Sequence, residues 1–470
     1  MNTMYRPGYT RFPGFLRRRN YRFLPVAMLL GALLPPLVAH AEEPLPALKD
    51  SYPTAMPDPS AERRNVYGNF ADALAHLWET HPEVRMARSN LQAAGYDVDA
   101  AYTGFYPYAQ VNSSASSKAS STMLSFVLPL WRGGGTVAGV DVAEAGREAA
   151  FSDVNRTRLR LGLRLSDAWF AAAAAAEQDG YWQTYIDTLG KLQGVIQRRA
   201  DQGAAPYADV INALTRVRQA EALAAQNRSV LETSRAQLSA LLGPQDIAAG
   251  WPAQVFAVTD KEAAVALERA ADNHPEILYA QARLAQQQAE TRVGRASLSP
   301  EVLLQHDKPL GDEKQLSEEE TRVVLRYQTD NGLRGYQAWR AGQLRSSAAQ
   351  SGVETARREV QSSIRAAQAE RAAAAAQMEF QSAAVTAADA VMSSFVRQFE
   401  AGRKTWLEVL NAQREAHETR LALVQQKRSY WAASTRLALQ GLYWERLLAG
   451  IDAPVVEVAG KNKRPKKVTK

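Results

Sequence analysis

The chain has 470 residues, no cysteine and a formal net charge of +7. The lack of cysteine excludes disulfide bonds, thiol catalysis and lipid attachment through cysteine. The positive charge sits at the two ends, because residues 1–41 and 461–470 each carry six basic residues and no acid, which leaves residues 42–460 net negative. A nucleic-acid-binding surface is therefore not expected.

The N-terminus has the features of a processing signal. A 16-residue apolar run, FLPVAMLLGALLPPLV, follows Arg17, Arg18, Arg19 and Arg22 and precedes Ala39-His40-Ala41. The run is shorter than the ~20 apolar residues of a membrane-spanning helix, which is the alternative interpretation. We interpret residues 1–41 as a signal peptide, followed by an N-terminal extension over residues 42–65, and we expect export across the inner membrane.

Residues 66–250 and 251–450 are predicted to be two copies of one plan. His81-Pro82-Glu83 and His274-Pro275-Glu276 lie 193 residues apart, and a proline at the first helical position with an acid beside it is typical of a helix start. The histidines could be metal ligands, but neither has a second ligand at the usual spacing. We interpret them as the residues that precede each helix, and we predict no metal site and no cofactor.

After each of these helices the apolar residues recur with a period of two. Strands are predicted over about residues 107–117, 122–131, 300–308 and 320–329. Their alternation indicates one face toward lipid and one toward water. The positions predicted to face lipid are Val111, Leu124, Phe126, Leu128, Val302, Leu304, Val323, Leu325 and Tyr327. Six extra residues in the second copy are placed in the hairpin loop DKPLGDEKQLSEEE, which we expect in solvent.

Glycines join each pair of strands to a very long helix; these strand-to-helix joints are Gly133, Gly134 and Gly332. Each long helix has no proline and could extend ~100 Å.

Turns at Gly203 and Gly402, which lie 199 residues apart, lead into return helices. Each return helix is predicted to have one apolar seam, with its other faces polar; the seams are Val210, Leu214, Val217, Ala224, Leu231, Leu238 and Leu242, then Val409, Ala416, Leu423, Tyr430 and Leu437. A basic tail over residues 451–470 follows.

Four strands in one chain cannot close a barrel, and an open strand edge in lipid is prohibitive. Several chains must therefore pool their strands, and three chains would supply twelve. The predicted fold class is α+β and mostly helical, with two tandem repeats that each combine long antiparallel coiled-coil helices with a β-hairpin.

These features resemble the TolC family of outer-membrane efflux and secretion ducts. The resemblance rests on the two HPE motifs, the joints SFVLPLWRGG and VVLRYQTDNG, the two glycine turns and the segment FEAGRKTWLEVLNAQREAHETRLALVQQKRSYWAASTRLALQGL. It implies a homotrimer with a 12-stranded β-barrel among outer-membrane lipids and an α-helical tunnel through the periplasm. It also implies a periplasmic adaptor protein and an inner-membrane pump, either an ABC transporter or a proton-driven one, with no enzymatic activity in the duct.

The family resemblance places the glycine turns at the periplasmic tip of the tunnel. Asp209 and Glu408, with Asn212 and Asn411 one helical turn further on, would then line the entrance and favour cations. Alternatively, the two acids complement the helix dipoles, and both interpretations can hold together.

The alternative function is a periplasmic coiled-coil scaffold or adaptor without a pore. It explains the heptads and the alanine content but not the paired strands at matching places. For a duct, the cargo stays open between small molecules and proteins. FEAGRKTWLEVLNAQ looks somewhat closer to ducts of one-step (type I) protein secretion than to drug-efflux ducts.

Overall fold

A computed structural model describes residues 69–115, 120–244, 247–251, 265, 267–268, 270, 273–310, 319–327 and 334–444. All of them belong to one compact unit, Arg64–Lys470. The predicted signal peptide, the N-terminal extension, the basic tail and Gly332 lie outside the described residues.

The elements alternate between helices and strand pairs, and in chain order they are α1 (Phe70–Thr80), α2 (Pro82–Thr103), β1 (Tyr108–Ala115), β2 (Ser120–Trp131), α3 (Gly135–Asp201), α4 (Tyr207–Leu242), α5 (Pro275–Ala296), β3 (Glu301–Leu310), β4 (Glu320–Arg326), α6 (Arg334–Glu400) and α7 (Trp406–Gln440). Helices α3 and α6 have 67 residues each, which corresponds to ~100 Å of helix. None of the helices in the described ranges combines the length and apolarity needed to cross a membrane.

Both HPE motifs begin a helix. The Nδ1 atoms of His81 and His274 accept hydrogen bonds at 3.2 Å from the backbone N–H of the glutamate two residues on, so each histidine is an N-cap. The two glutamates then pair with α3: Glu83 with Arg160 at 2.7 Å, and Glu276 with Arg156 at 2.8 Å. In the described part of the chain, no group of three or more potential metal ligands comes together.

The four strands form one antiparallel sheet in the order β1-β2-β3-β4. Strand β3 runs to Leu310, which pairs with Thr122 of β2. The strand predicted over about residues 300–308 therefore extends two residues further, and the first four residues of DKPLGDEKQLSEEE are strand rather than loop. The end of this strand could not be read from the sequence because Asp307 and Lys308 interrupt the apolar pattern, yet β2 continues far enough to pair with residues 307–310.

The helices pack side by side, with α4 and α7 on either side of α3 and with α6 on the far side of α7. Toward the sheet, α2 and α5 pack on α3, and α5 also contacts α6. The main core lies around α1, where Phe70 packs on Trp169 and Phe170 of α3, and Phe170 in turn stacks toward Trp431 of α7.

Two features of the predicted seams were wrong. On α4 the buried residue is Ala213, while Leu214, one position on and about 100° around the helix, is 40% exposed. On α7 a second side is also buried, because this helix lies between α3 and α6. Its residues Leu410 and His417 pack against Trp182 of α3.

Candidate functional site

The turns that end α3 and α6 are built alike. Gly203 and Gly402 have φ angles of +73° and +72°, a region that glycine adopts without steric penalty. In each turn, the N–H of the residue after the glycine donates to a carbonyl near the end of the long helix, at 2.7 Å and 2.8 Å. This is the glycine-terminated helix end that the sequence pattern indicates. We call residues 198–212 and 397–411 together the helix tip.

The two halves of the helix tip are in direct contact. The Nε1–H of Trp406, at the start of α7, donates to Oδ2 of Asp209, in the first turn of α4, at 2.9 Å. The guanidinium of Arg199 lies 4.6 Å from the centre of the Phe399 ring. Asp209 is therefore part of a link between the repeats. The sequence shows an aromatic residue at Trp406 but not its partner, because Asp209 is 197 positions away.

Glu408 is the third residue of a capping box. Its Oε2 accepts from the N–H and the hydroxyl of Thr405 at 2.9 Å each, and its Oε1 accepts from Nζ of Lys404 at 2.5 Å. The Lys404 contact, followed by those of Thr405, lowers the pKa of Glu408 to about 2. The carboxylate is thus ionised over the whole physiological range, with much of its charge offset by Lys404. Sequence reasoning missed Lys404, although it lies four residues before the acid.

The surface around these acids is mixed. Asn212 and Asn411 are both exposed, one helical turn beyond Asp209 and Glu408. Large apolar side chains are also exposed close by: Tyr207 68%, Ile211 52% and Leu407 49%. The helix tip therefore presents to solvent two carboxylates, of which Glu408 is paired with Lys404, together with two amides and several exposed apolar side chains.

The joint between β2 and α3 needs its glycines. A Cβ on Gly133 would lie 2.6 Å from Cβ of Ser299 and 2.9 Å from the carbonyl oxygen of Ala296, and the φ of Gly133 is +59°. Gly134 follows with a φ of +82°. Because α5 ends against this corner, Gly133 allows the two repeats to approach closely where the strands give way to helices.

The predicted lipid-facing positions share one face of the sheet. Directly opposed residues in an antiparallel sheet point to the same side, and the register pairs Val111 with Leu124, Leu128 with Leu304, and Leu304 with Val323. Several members are well exposed: Val111 62%, Phe126 46%, Val323 65%, Leu325 69% and Tyr327 60%. His306 and Lys308 lie on this face nearer the hairpin ends, paired with Thr321 and Glu319.

The other face of the sheet is mixed: it carries the buried apolar residues Val127 and Leu303 beside a polar cluster. Asp307 is buried there, and it accepts from Ser125 of β2 at 2.5 Å and from Gln305 at 2.8 Å. It also pairs with Arg322 of β4 at 2.7 Å. This cluster ties three strands together and was not predicted, because the sequence alone does not give the register that aligns them.

A group of exposed aromatic residues lies where the strands meet the helices. Phe105, Tyr106, Trp131 and Tyr327 are 45%, 65%, 49% and 60% exposed. They precede β1, end β2 and follow β4, so they share the helix-proximal edge of the sheet. Aromatic side chains in such a band are typical of a membrane–water interface. Sequence analysis missed this band, although the cluster FYPY at 105–108 was its signal.

Long packed helices joined to a small antiparallel sheet in this way occur in solved outer-membrane proteins. The structure is similar to VceC from Vibrio cholerae, with a TM-score of 0.68 and 16% identity over 79% of this chain and 96% of that one. It is also similar to a membrane protein from Pseudomonas aeruginosa, with a TM-score of 0.70 and 18% identity over 80% and 90% of the two chains. At these identities the similarity establishes the fold.

Residues 74–244 and 266–440 match the outer membrane efflux protein family. The chain therefore belongs to that family. Among curated relatives it is similar to the solvent efflux pump outer membrane protein SrpC of Pseudomonas putida, with 24% identity over 180 residues. That alignment covers 35% of this chain and spans 38% of the relative's length.

Proposed function

We propose that the protein is a passive outer-membrane exit duct. Three chains pool their sheets into one 12-stranded barrel, and the long helices form a tunnel through the periplasm that ends at the helix tip. A periplasmic adaptor and an inner-membrane pump, ABC or proton-driven, supply cargo and energy. The observation that carries the proposal is the sheet with one exposed apolar face and an opposite face that holds a buried polar cluster around Asp307.

The free edges of that sheet support the pooling of strands. Among the described residues, strands β1 and β4 are each paired on one side only. Unpaired backbone groups in lipid are very unfavourable, so the edges need partners of the same kind. The β1 edge of one chain and the β4 edge of the next satisfy this requirement in a closed ring. A scaffold without a pore would have no use for such a sheet.

Contacts at the helix tip support gating there. The bond from Trp406 to Asp209 joins the α3–α4 hairpin to the α6–α7 hairpin. The Lys404–Glu408 pair holds the beginning of α7 in place. Widening the tip would separate the hairpins and break the first of these contacts, so the proposed resting state is the joined one.

For cargo, we propose small molecules. Two curated relatives are named as the outer membrane proteins of solvent and toluene efflux pumps, which favours small molecules over secreted protein.

The proposal is tested with two neighbouring substitutions in β1. Val111→Lys puts a charge on the apolar face, which destabilises a membrane barrel by about 2–4 kcal/mol at mid-depth. Asn112→Lys, its matched control, puts the same charge on the other face. We expect Val111→Lys to reduce the trimer in outer-membrane fractions while Asn112→Lys leaves it near wild type, and the purified wild type to conduct in planar bilayers. Equal trimer yields from the two variants, or a wild-type monomer that stays in the soluble periplasmic fraction, would support the scaffold instead.

A further inference from the structure

His417 is a buried histidine that joins the two repeats. It lies on α7, is 3% exposed, and packs between two aromatic rings of α3. Its ring stacks on Tyr185 at a centroid distance of 4.2 Å and an interplanar angle of 6°, and it meets Trp182 edge-on at 4.3 Å. Its Nε2 atom is buried and has no hydrogen-bond partner among the described residues.

The surroundings of His417 disfavour a positive charge. Burial lowers the pKa of His417 to about 4, and the charge of Arg420 acts in the same direction. The charged and titratable groups around this stack are Tyr185 from α3, Arg216 from α4, Asp389 from α6 through its pair with Arg420, and Arg414, Glu418 and Arg420 from α7. The two acids among these groups are already paired with arginines: Asp389 with Arg420 at 2.6 Å and Glu418 with Arg414 at 3.8 Å.

This stack continues into the packing at the helix tip. Trp182 belongs to a buried cluster with Leu189, Val217 and Leu410, and Trp406 packs against that cluster. Trp406 is the residue that bonds to Asp209 across the tip. A disturbance at Trp182 therefore reaches the tip link through side chains in direct contact.

We propose that His417 is an acid-sensitive latch, whose protonation loosens the contact between α3 and α7 and releases the helix tip. As a regulatory device for a gated duct, it rests on the proposed function. When the pH is above the ordinary histidine range, the imidazole of His417 is neutral whether α3 and α7 are joined or separated, and the contact between them holds. As the pH falls from about 6.5 toward 4, only the separated state binds the proton readily, so the joined state loses stability.

The test uses hydrogen exchange on the full-length protein in detergent. After correction for the intrinsic effect of pH on exchange, amides around residues 182–189 and 410–420 should exchange about tenfold faster at pH 5 than at pH 7. His417→Phe keeps an aromatic ring in the stack without a titratable nitrogen and should abolish this response. His417→Leu is a second non-titrating variant in case the phenylalanine packs poorly. Tyr185→Phe, the matched control, keeps the stack and should retain the response.

A wild type without an acid response, or a response of the same size in both His417 variants, would overturn the latch. In planar bilayers, lowering the pH on the tip side should open wild-type channels more often but leave His417→Phe channels unchanged. If the wild type formed no channels at any pH, the proposed duct would fail. The exchange experiment would still decide whether His417 controls the α3–α7 contact.

Discussion

Asp209 and Glu408 occupy matching positions in the two repeats but make different contacts. Glu408 caps its own helix and pairs with Lys404, whereas Asp209 accepts a bond from the other repeat. Their positions were predictable from the sequence, because a glycine turn precedes each acid by the same spacing. The partners were not, because the Trp406–Asp209 contact depends on how two distant hairpins pack.

At the residue scale, the two acids should contribute unequally to ion selectivity. Glu408→Gln leaves the Lys404 charge unpaired, while Asp209→Asn keeps an oxygen that accepts from Trp406. We expect both to shift the reversal potential in a salt gradient toward anions, with the larger shift for Glu408→Gln. Asp187→Asn is a control, since that exposed carboxylate pairs with Lys191 outside the helix tip. An unchanged reversal potential in the double variant would remove the tip acids from selectivity.

The N-cap His274 should make folding acid-sensitive. It is 3% exposed, and burial lowers its pKa to about 4. The unfolded chain therefore binds a proton first as the pH falls from about 6.5 to 4, and stability decreases over that window, on the order of 1–3 kcal/mol in total. His274→Asn keeps a good N-cap without a titrating ring. Its melting temperature should fall less between pH 7 and pH 4.5 than that of the wild type. Equal decreases in the two proteins would contradict this role of His274.

At the element scale, the strand pairs were predictable from alternation of apolar and polar residues. Their ends were less predictable, because β3 continues to Leu310, two residues past the predicted end, after Asp307 and Lys308 have interrupted the apolar pattern. The buried side of α7 around His417 was missed for a related reason: a histidine in a helix does not look apolar. Only the position of α7 between two long helices gives that face a partner.

The tip turns should not tolerate a β-branched residue. At a φ near +72°, any L-residue is strained by roughly 1–2 kcal/mol, so Gly203→Val and Gly402→Val should each lower the yield of assembled protein. Gly352→Val is the control, because that glycine has an ordinary helical φ and open space around it. Comparable yields for all three variants would contradict the turn argument.

Helix α3 should bend more readily than α6. Its tip-proximal half contains Gly180, Gly190 and Gly194, the first two with no neighbouring atom within 4 Å of an added Cβ. No glycine occurs in α6 after Gly352. Each interior glycine weakens a helix by about 0.5–1 kcal/mol relative to alanine.

Replacing all three α3 glycines with alanine should therefore stiffen the helix and make channel opening rarer in planar bilayers. Gly139→Ala, in the sheet-proximal part of the same helix, also meets open space and should leave opening unchanged. More frequent opening in the triple variant would show that bending of α3 is not part of the gate.

At the scale of the whole molecule, cargo is the property that the chain itself defines least. In the proposed duct the tunnel wall is generic, and selection by a pump would leave few marks on it. A strain that lacks the gene should become several-fold more sensitive to toluene-like solvents while its profile of secreted proteins stays unchanged. The intact gene restored on a plasmid is the control. Loss of a secreted protein without solvent sensitivity would assign the duct to protein secretion.

The two long helices are equal in length but not in how much of each is covered by its own chain. Of 67 residues each, α3 buries 21 and α6 buries six. Leu344 and Phe380 of α6 are 74% and 72% exposed. An unassembled chain would therefore expose much more of α6 than of α3 to proteases and chaperones. Degradation of an unassembled chain would thus act mainly on its second half, and the lifetime of that chain would depend on how quickly it assembles with other copies.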